Sequence, residues 1–216
     1  PPAAGFTVRA DFNGGEVSSD LGALVLGAVD QRIGLLGRLA QAIGNSRDQR
    51  YISHSMRDLL TQRIFQVASG YEDGNDANAL RHDPLFKLAA GRAPLAADQA
   101  LACSATHSRL ENSLQRRDIY RLARALIEQF VAGYPVAPRA ITLDLDHTDD
   151  ATYGQQALSF YNHHYEHHCY LPLLVFEANS GALVTAVLRP GKRPTGAENA
   201  MIMKRVICLL RRHWPQ

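Results

Sequence analysis

Apolar and polar positions recur with two different periods along this chain, and the change of period divides it. At the start, Phe6, Val8, Ala10 and Phe12 alternate with more polar residues, and Asn13-Gly14-Gly15 supplies residues that tolerate a tight turn, so a short hairpin is predicted. Ser18, Ser19 and Asp20 offer N-caps for an apolar helix to about Val29, and Leu35 to Ile43 continues helically until Gly44. From His54 to Ser69, Met56, Leu60, Ile64 and Val67 fall on one helical stripe that Gly70 closes. Asp83-Pro84 is a cap followed by proline at the first helical position, which predicts a short helix over Pro84–Ala90. The alanine-rich segment Gly91–Ala105 has no period that places an element. Gln115–Ala132 gives the clearest helix, with Ile119, Leu122, Leu126 and Phe130 on one stripe.

Tyr134-Pro135-Val136-Ala137-Pro138 interrupts the helical pattern, and the period then becomes two. Ile141, Leu143 and Leu145 alternate with Thr142, Asp144 and Asp146, which predicts a strand with one apolar face and one face carrying carboxylates. Ala151–Cys169 is rich in His, Tyr, Gln and Asn without a period and reads as a long functional loop. Leu171–Glu177 and Leu183–Arg189 are near-continuous apolar runs around Ala178-Asn179-Ser180-Gly181, the pattern of a hairpin buried on both faces. Thr195 and Glu198 form a capping box for a helix with Ile202, Met203, Val206 and Leu210 inward, ended by Trp214-Pro215. The predicted class is α/β, α+β overall: a mostly helical region over 1–137, then strand, loop, hairpin and helix over 138–216.

Composition narrows the function classes. A 46% hydrophobic content over 216 residues supports a buried core. The formal charge of +2 does not by itself announce nucleic-acid binding, so any such case rests on local patches. Cys103, Cys169 and Cys208 are few, odd in number and far apart, which argues for a reducing compartment. The longest apolar stretch, around Leu21–Val29, is too short to span a membrane, and the first residues lack the pattern of a signal peptide. A cytoplasmic location without membrane association is expected.

The chemistry concentrates in the second part. Asp144 and Asp146 on one strand face would lie roughly 6–7 Å apart along the strand, and their mutual repulsion is relieved by a divalent cation. Asp146, alone or with Asp144, is therefore the candidate anchor for Mg²⁺ or Mn²⁺, although strand ends and turns also expose aspartates such as Asp149 and Asp150 without any metal. His163, Glu166 and His167 match H-x-x-E-H, a zinc-peptidase pattern that requires a helix, and this run has no apolar helical face. Arg117, Arg121 and Arg124 line one side of the Gln115–Ala132 helix, and Lys204 and Arg205 lie on the last one. These five fit phosphate contacts or equally a solvated basic surface. Walker, dinucleotide-binding and serine-elbow motifs are absent from the sequence.

Leu143-Asp144-Leu145-Asp146, Thr148-Asp149-Asp150, Gly154-Gln155-Gln156, the Tyr/His stretch, Tyr170-Leu171-Pro172-Leu173 and Leu188-Arg189-Pro190 occur in that order. Together they resemble bacterial DDE-type transposases, in particular the insertion-sequence family numbered thirteen-eighty. Gly70-Tyr71-Glu72-Asp73, Arg81-His82-Asp83-Pro84 and Ser108-Arg109-Leu110-Glu111-Asn112 extend the resemblance upstream. It implies a ribonuclease-H-like core whose first strand bears the first acid of an Asp-Asp-Glu triad, with Asp146 the choice and Asp144 the alternative. His147 departs from the small or acidic residue expected there. The resemblance further implies metal-dependent cutting and joining of DNA at insertion-sequence ends, with terminal repeats as partner and a homodimer or intact transposase as assembly. In such cores the second acid and the glutamate come after the last helix found here, so the expectation is a truncated chain that does not catalyse alone. A non-catalytic DNA-binding or inhibitory role is the alternative expectation.

Overall fold

The computed structural model describes residues 20–45, 47–96 and 99–215. The expected opening hairpin at Phe6–Gly15 lies outside them. Among the described residues the fold is mixed α/β, with eight α-helices and six strands in two antiparallel sheets. Contacts group the chain into two compact units, 1–115 and 116–216.

The first unit is helical: α1 (Leu21–Ile33), α2 (Leu35–Ala42), α3 (Met56–Ala68), α4 (Asp76–Leu80), α5 (Pro84–Ala89) and α6 (Ser104–Ser113). Gly34 separates α1 from α2 with a left-handed φ of 70°, and its N–H donates to the Asp30 carbonyl. The buried Asp30 carboxylate accepts from Leu36 N at 2.7 Å and pairs with Arg57 at 3.1 Å, so the corner is held by one acid. Ser55 and Asp58 close a reciprocal capping box on α3, and Asp83 caps α5 ahead of Pro84. Ala23, Leu36, Phe65, Leu80, Phe86 and Leu101 form the core.

The inward face of α3 differs from the predicted stripe. Met56, Leu59, Gln62 and Phe65 are buried, whereas Val67 is exposed. Gln62 turns inward because its amide matches a backbone: Nε2 donates to Ala102 O at 2.9 Å and Oε1 accepts from Ala102 N at 2.8 Å. A polar side chain satisfied this way is at home in a core.

The second unit contains α7 (Arg116–Ala132), β1 (Leu143–His147), β2 (Asp150–Ala151), β3 (Phe160–Asn162), β4 (His167–Tyr170), β5 (Leu173–Glu177), β6 (Ala182–Val187) and α8 (Gly196–His213). Among the described residues one sheet has the order β1-β5-β6, all antiparallel, with β1 at an edge. α7 packs on β6 and α8, and Thr185 Oγ1 donates to Ala123 O at 2.8 Å. Leu173, Val175 and Val184 meet Ile127, Phe130, Val206, Leu209 and Leu210 in the core. The hairpin is not buried on both faces. Leu173 and Val175 are buried, Leu174 and Phe176 half-buried, and Leu183 exposed, because α7 and α8 cover one face. On α7 the buried positions are Asp118, Ala125, Ile127 and Phe130, a rotation from the predicted stripe that keeps only Phe130. The capping box of Thr195 and Glu198 starts α8 as predicted.

The stretch read as an irregular loop holds the second sheet, ordered β2-β4-β3. Its strands are two to four residues long, too short to leave a period in the sequence.

Glu177 fixes the turn between β5 and β6 and the entry to β1. Its carboxylate accepts from the hydroxyl and N–H of Ser180, from Asn179 and from Thr142 N. Those donors, the Ser180 hydroxyl foremost, hold its pKa down to about 2. A depressed carboxylate contributes stability fully above its unfolded value, about 4.3, and loses it as pH falls toward the folded value. Glu177→Gln is therefore expected to lower the urea midpoint at pH 7. The gap to the parent should narrow below about pH 4 and be nearly gone near pH 2; a gap that stays constant with pH would refute the linkage.

Candidate functional site

β1 presents Leu143 and Leu145 to the core and leaves Asp144 and Asp146 exposed, the alternation expected of a strand with one covered face. Across the ladder Asp144 faces Phe176 and Asp146 faces Leu174, so neither carboxylate is opposite a cation. Both offer hard oxygen donors on a rigid strand, and a cation of the Mg²⁺ class binds through one or two carboxylates and keeps its waters. The two residues fit that role. Among the described residues no third acid joins them: the one group of three metal-ligating side chains is Asp149, His167 and Cys169.

His147, the last residue of β1, borders a cleft of about 670 Å³ that is also lined by Tyr161, His163, His164, Tyr165, Lys192 and Arg193. Burial, then the charge of Arg189, lowers the pKa of His147, disfavouring its charged form. Its Nε2 is buried without a hydrogen-bond partner. The buried Arg189 is held by Glu198 at 3.3 Å and Asn199 at 3.1 Å, which ties the start of α8 to the segment after β6. Lys192 Nζ sits 4.3 Å above the Phe160 ring, and Tyr161 meets the rings of His163 and His168 edge-on. The cleft is thus aromatic and cationic, a surface suited to stacked bases and phosphates.

The H-x-x-E-H run does not form a metallopeptidase helix. His163 to Glu166 make the turn between β3 and β4, Glu166 has φ of 60°, and His167 lies on β4 against Asp149. The zinc-peptidase alternative fails on that geometry. Arg117, Arg121 and Arg124 are exposed on α7, but Arg121 pairs with Asp118 at 3.6 Å and Arg124 with Glu128 at 2.8 Å on the same helix. Lys204 and Arg205 are exposed on α8. Lys192 and Arg193 of the cleft were not singled out by sequence, since a lone basic pair after a strand has no distinctive spacing.

The family model for transposase DDE domain group 1 matches residues 1–216. The chain belongs to that family. No curated protein and no solved structure gives a match. Membership makes this chain a DDE-type transposase. The family implies DNA as substrate and a divalent metal. Among the described residues no helix of this transposase is long and apolar enough to cross a membrane.

Proposed function

We propose that this transposase binds the ends of an insertion sequence and contributes the first acid of a metal site for phosphodiester cleavage and strand transfer. The observation that carries the reading is the pair Asp144 and Asp146 on the open face of β1, the strand whose last residue, His147, borders the cleft. Asp146, nearer the cleft end of the strand, would hold Mg²⁺ or Mn²⁺ with Asp144 beside it. When bound, such an ion helps activate the attacking oxygen and stabilise the leaving one. Lys192 and Arg193 would neutralise backbone phosphates, and Tyr161 and Tyr165 would stack unpaired bases. Arg117, Arg121, Arg124, Lys204 and Arg205 would add phosphate contacts, those of Arg121 and Arg124 at the expense of their helix partners.

This transposase is proposed to act on DNA in the cytoplasm and as part of a dimeric or larger assembly. The test is a pair of measurements on the purified chain. Terminal-sequence DNA should bind with an affinity that falls steeply with salt, and Lys192→Ala with Arg193→Ala should make the salt dependence shallower by about two contacts. Mn²⁺ should bind the parent chain and bind Asp146→Asn more weakly. Unchanged Mn²⁺ binding in Asp146→Asn would overturn the anchor assignment, and absence of salt-dependent DNA binding would overturn the cleft assignment.

A further inference from the structure

We propose that Asp149, His167 and Cys169 form a zinc site that holds the β2-β4-β3 sheet together, separate from the hard-cation site at Asp144 and Asp146. The ligand atoms of the three side chains all lie within 4.8 Å of one another. Their placement follows from the ladder. His167 and Cys169 are two residues apart on β4 and share a face, while Asp149 enters β2, whose Ala151 lies opposite Cys169. Both carboxylate oxygens of Asp149 approach His167 Nε2, at 3.0 and 2.9 Å, and the Cys169 thiol is within reach of the same point. A tetrahedral ion with bonds of roughly 2.0–2.3 Å needs only small side-chain shifts to take all three.

The donor set selects the ion. An imidazole nitrogen, a thiolate and one carboxylate oxygen suit zinc, whereas Mg²⁺ prefers oxygen alone. Three protein ligands leave a fourth position, and the His167 side chain is 41% exposed, so water can occupy it.

The second, independent reason is that this sheet lacks a core. From Thr148 to Tyr170, Cys169 is the one buried residue, and neither hydrophobic cluster includes a residue of β2, β3 or β4. Short antiparallel strands without an apolar face are not stable by themselves and are usually stapled by a metal or disulfide. No disulfide is available, because Cys169 is unpaired. The competing account is an Asp149–His167 ion pair with the Cys169 thiol hydrogen-bonded to the same carboxylate, contacts that contribute little at this exposure and hold no ion.

The experiment uses the full chain, stripped of metal with a chelator and titrated with zinc chloride against a chromophoric competitor. One equivalent should bind per chain at micromolar zinc, and amides of residues 150–170 should exchange more slowly once it has. Cobalt in place of zinc should give a thiolate-to-metal charge-transfer band together with the visible bands of a tetrahedral ion. Cys169→Ser should remove the charge-transfer band and weaken zinc at least about tenfold, and Asp149→Ala should weaken it comparably. The double variant His163→Ala with His164→Ala, on the adjoining turn, should keep both properties. Absence of equimolar uptake overturns the site, as does a cobalt spectrum with no thiolate band, or uptake that depends on His163 and His164 rather than Cys169. The parent protein's cobalt spectrum decides the matter even if Cys169→Ser does not fold. The test involves neither DNA nor Asp144 and Asp146, so its failure would leave the transposase reading untouched.

Discussion

Alanine at Gly191 is expected to destabilise the second unit by about 3 kcal/mol or more, at or above the upper end of what overpacking costs. A Cβ built on Gly191 would lie 2.1 Å from Cys169 O and 2.9 Å from Phe160 O. Both are backbone atoms of the small sheet, so no flexible side chain can give way. Gly191 N also donates to Leu158 O, and its carbonyl accepts from Asn162 Nδ2, each at 3.3 Å, which pins the segment against β3 and the chain before it. Lys192 and Arg193 follow directly and line the cleft. A urea titration of Gly191→Ala should show a much lower midpoint, and hydrogen exchange should localise the loss to residues 157–170 and 189–194. An unchanged midpoint would mean that the close approach of these two segments is not as described.

Leu173→Ala is the second large effect, expected to cost about 2–5 kcal/mol, the range for a fully buried leucine truncated to alanine. Leu173 is 0% exposed, pairs in register with both His147 and Val187, and belongs to the core under the sheet. The cavity would open beneath the end of β1 that carries Asp146, so the variant should lose order at the proposed metal anchor as well as stability. Leu183→Ala, at an exposed position of the same hairpin, is the control and should stay within about 0.5 kcal/mol. Equal midpoints for the two variants would contradict the one-sided burial of this hairpin.

What could be read from the residues alone was whatever is local. The capping box of Thr195 with Glu198, the Asp83-Pro84 start, and the alternation through Leu143–Asp146 each lie within a few residues, and each appears as read. Helix α6 escaped because its sequence is polar and only His107 and Leu110 are buried, which leaves no stripe to detect. The inward turn of Gln62 depends on the backbone of Ala102, forty residues on. The hairpin was read as buried on both faces because its runs are apolar throughout, yet burial is set by where α7 and α8 pack.

The site divides along the same line. Asp144 and Asp146 were visible because a strand repeats every two residues. Asp149, His167 and Cys169 were not read as a group, because they meet only when β2 folds against β4 and the intervening chain carries no period. The cleft residues Lys192 and Arg193 gain meaning only from Tyr161 and Tyr165 opposite them.

The edge position of β1 has a consequence for the order in which the chain assembles. β5 and β6 are joined by the short turn at residues 178–181 and can pair at once, but β1 pairs with β5 only after the whole stretch from Thr148 to Pro172 has been closed into a loop. During synthesis β1 leaves the ribosome on the order of seconds before its partner. Through that interval it is a bare strand with two unsatisfied edges, the kind of segment that recruits other nascent chains. Carboxylates at Asp144 and Asp146, every second position, oppose such pairing by charge repulsion. Neutralising both would be felt first as lost yield of soluble protein.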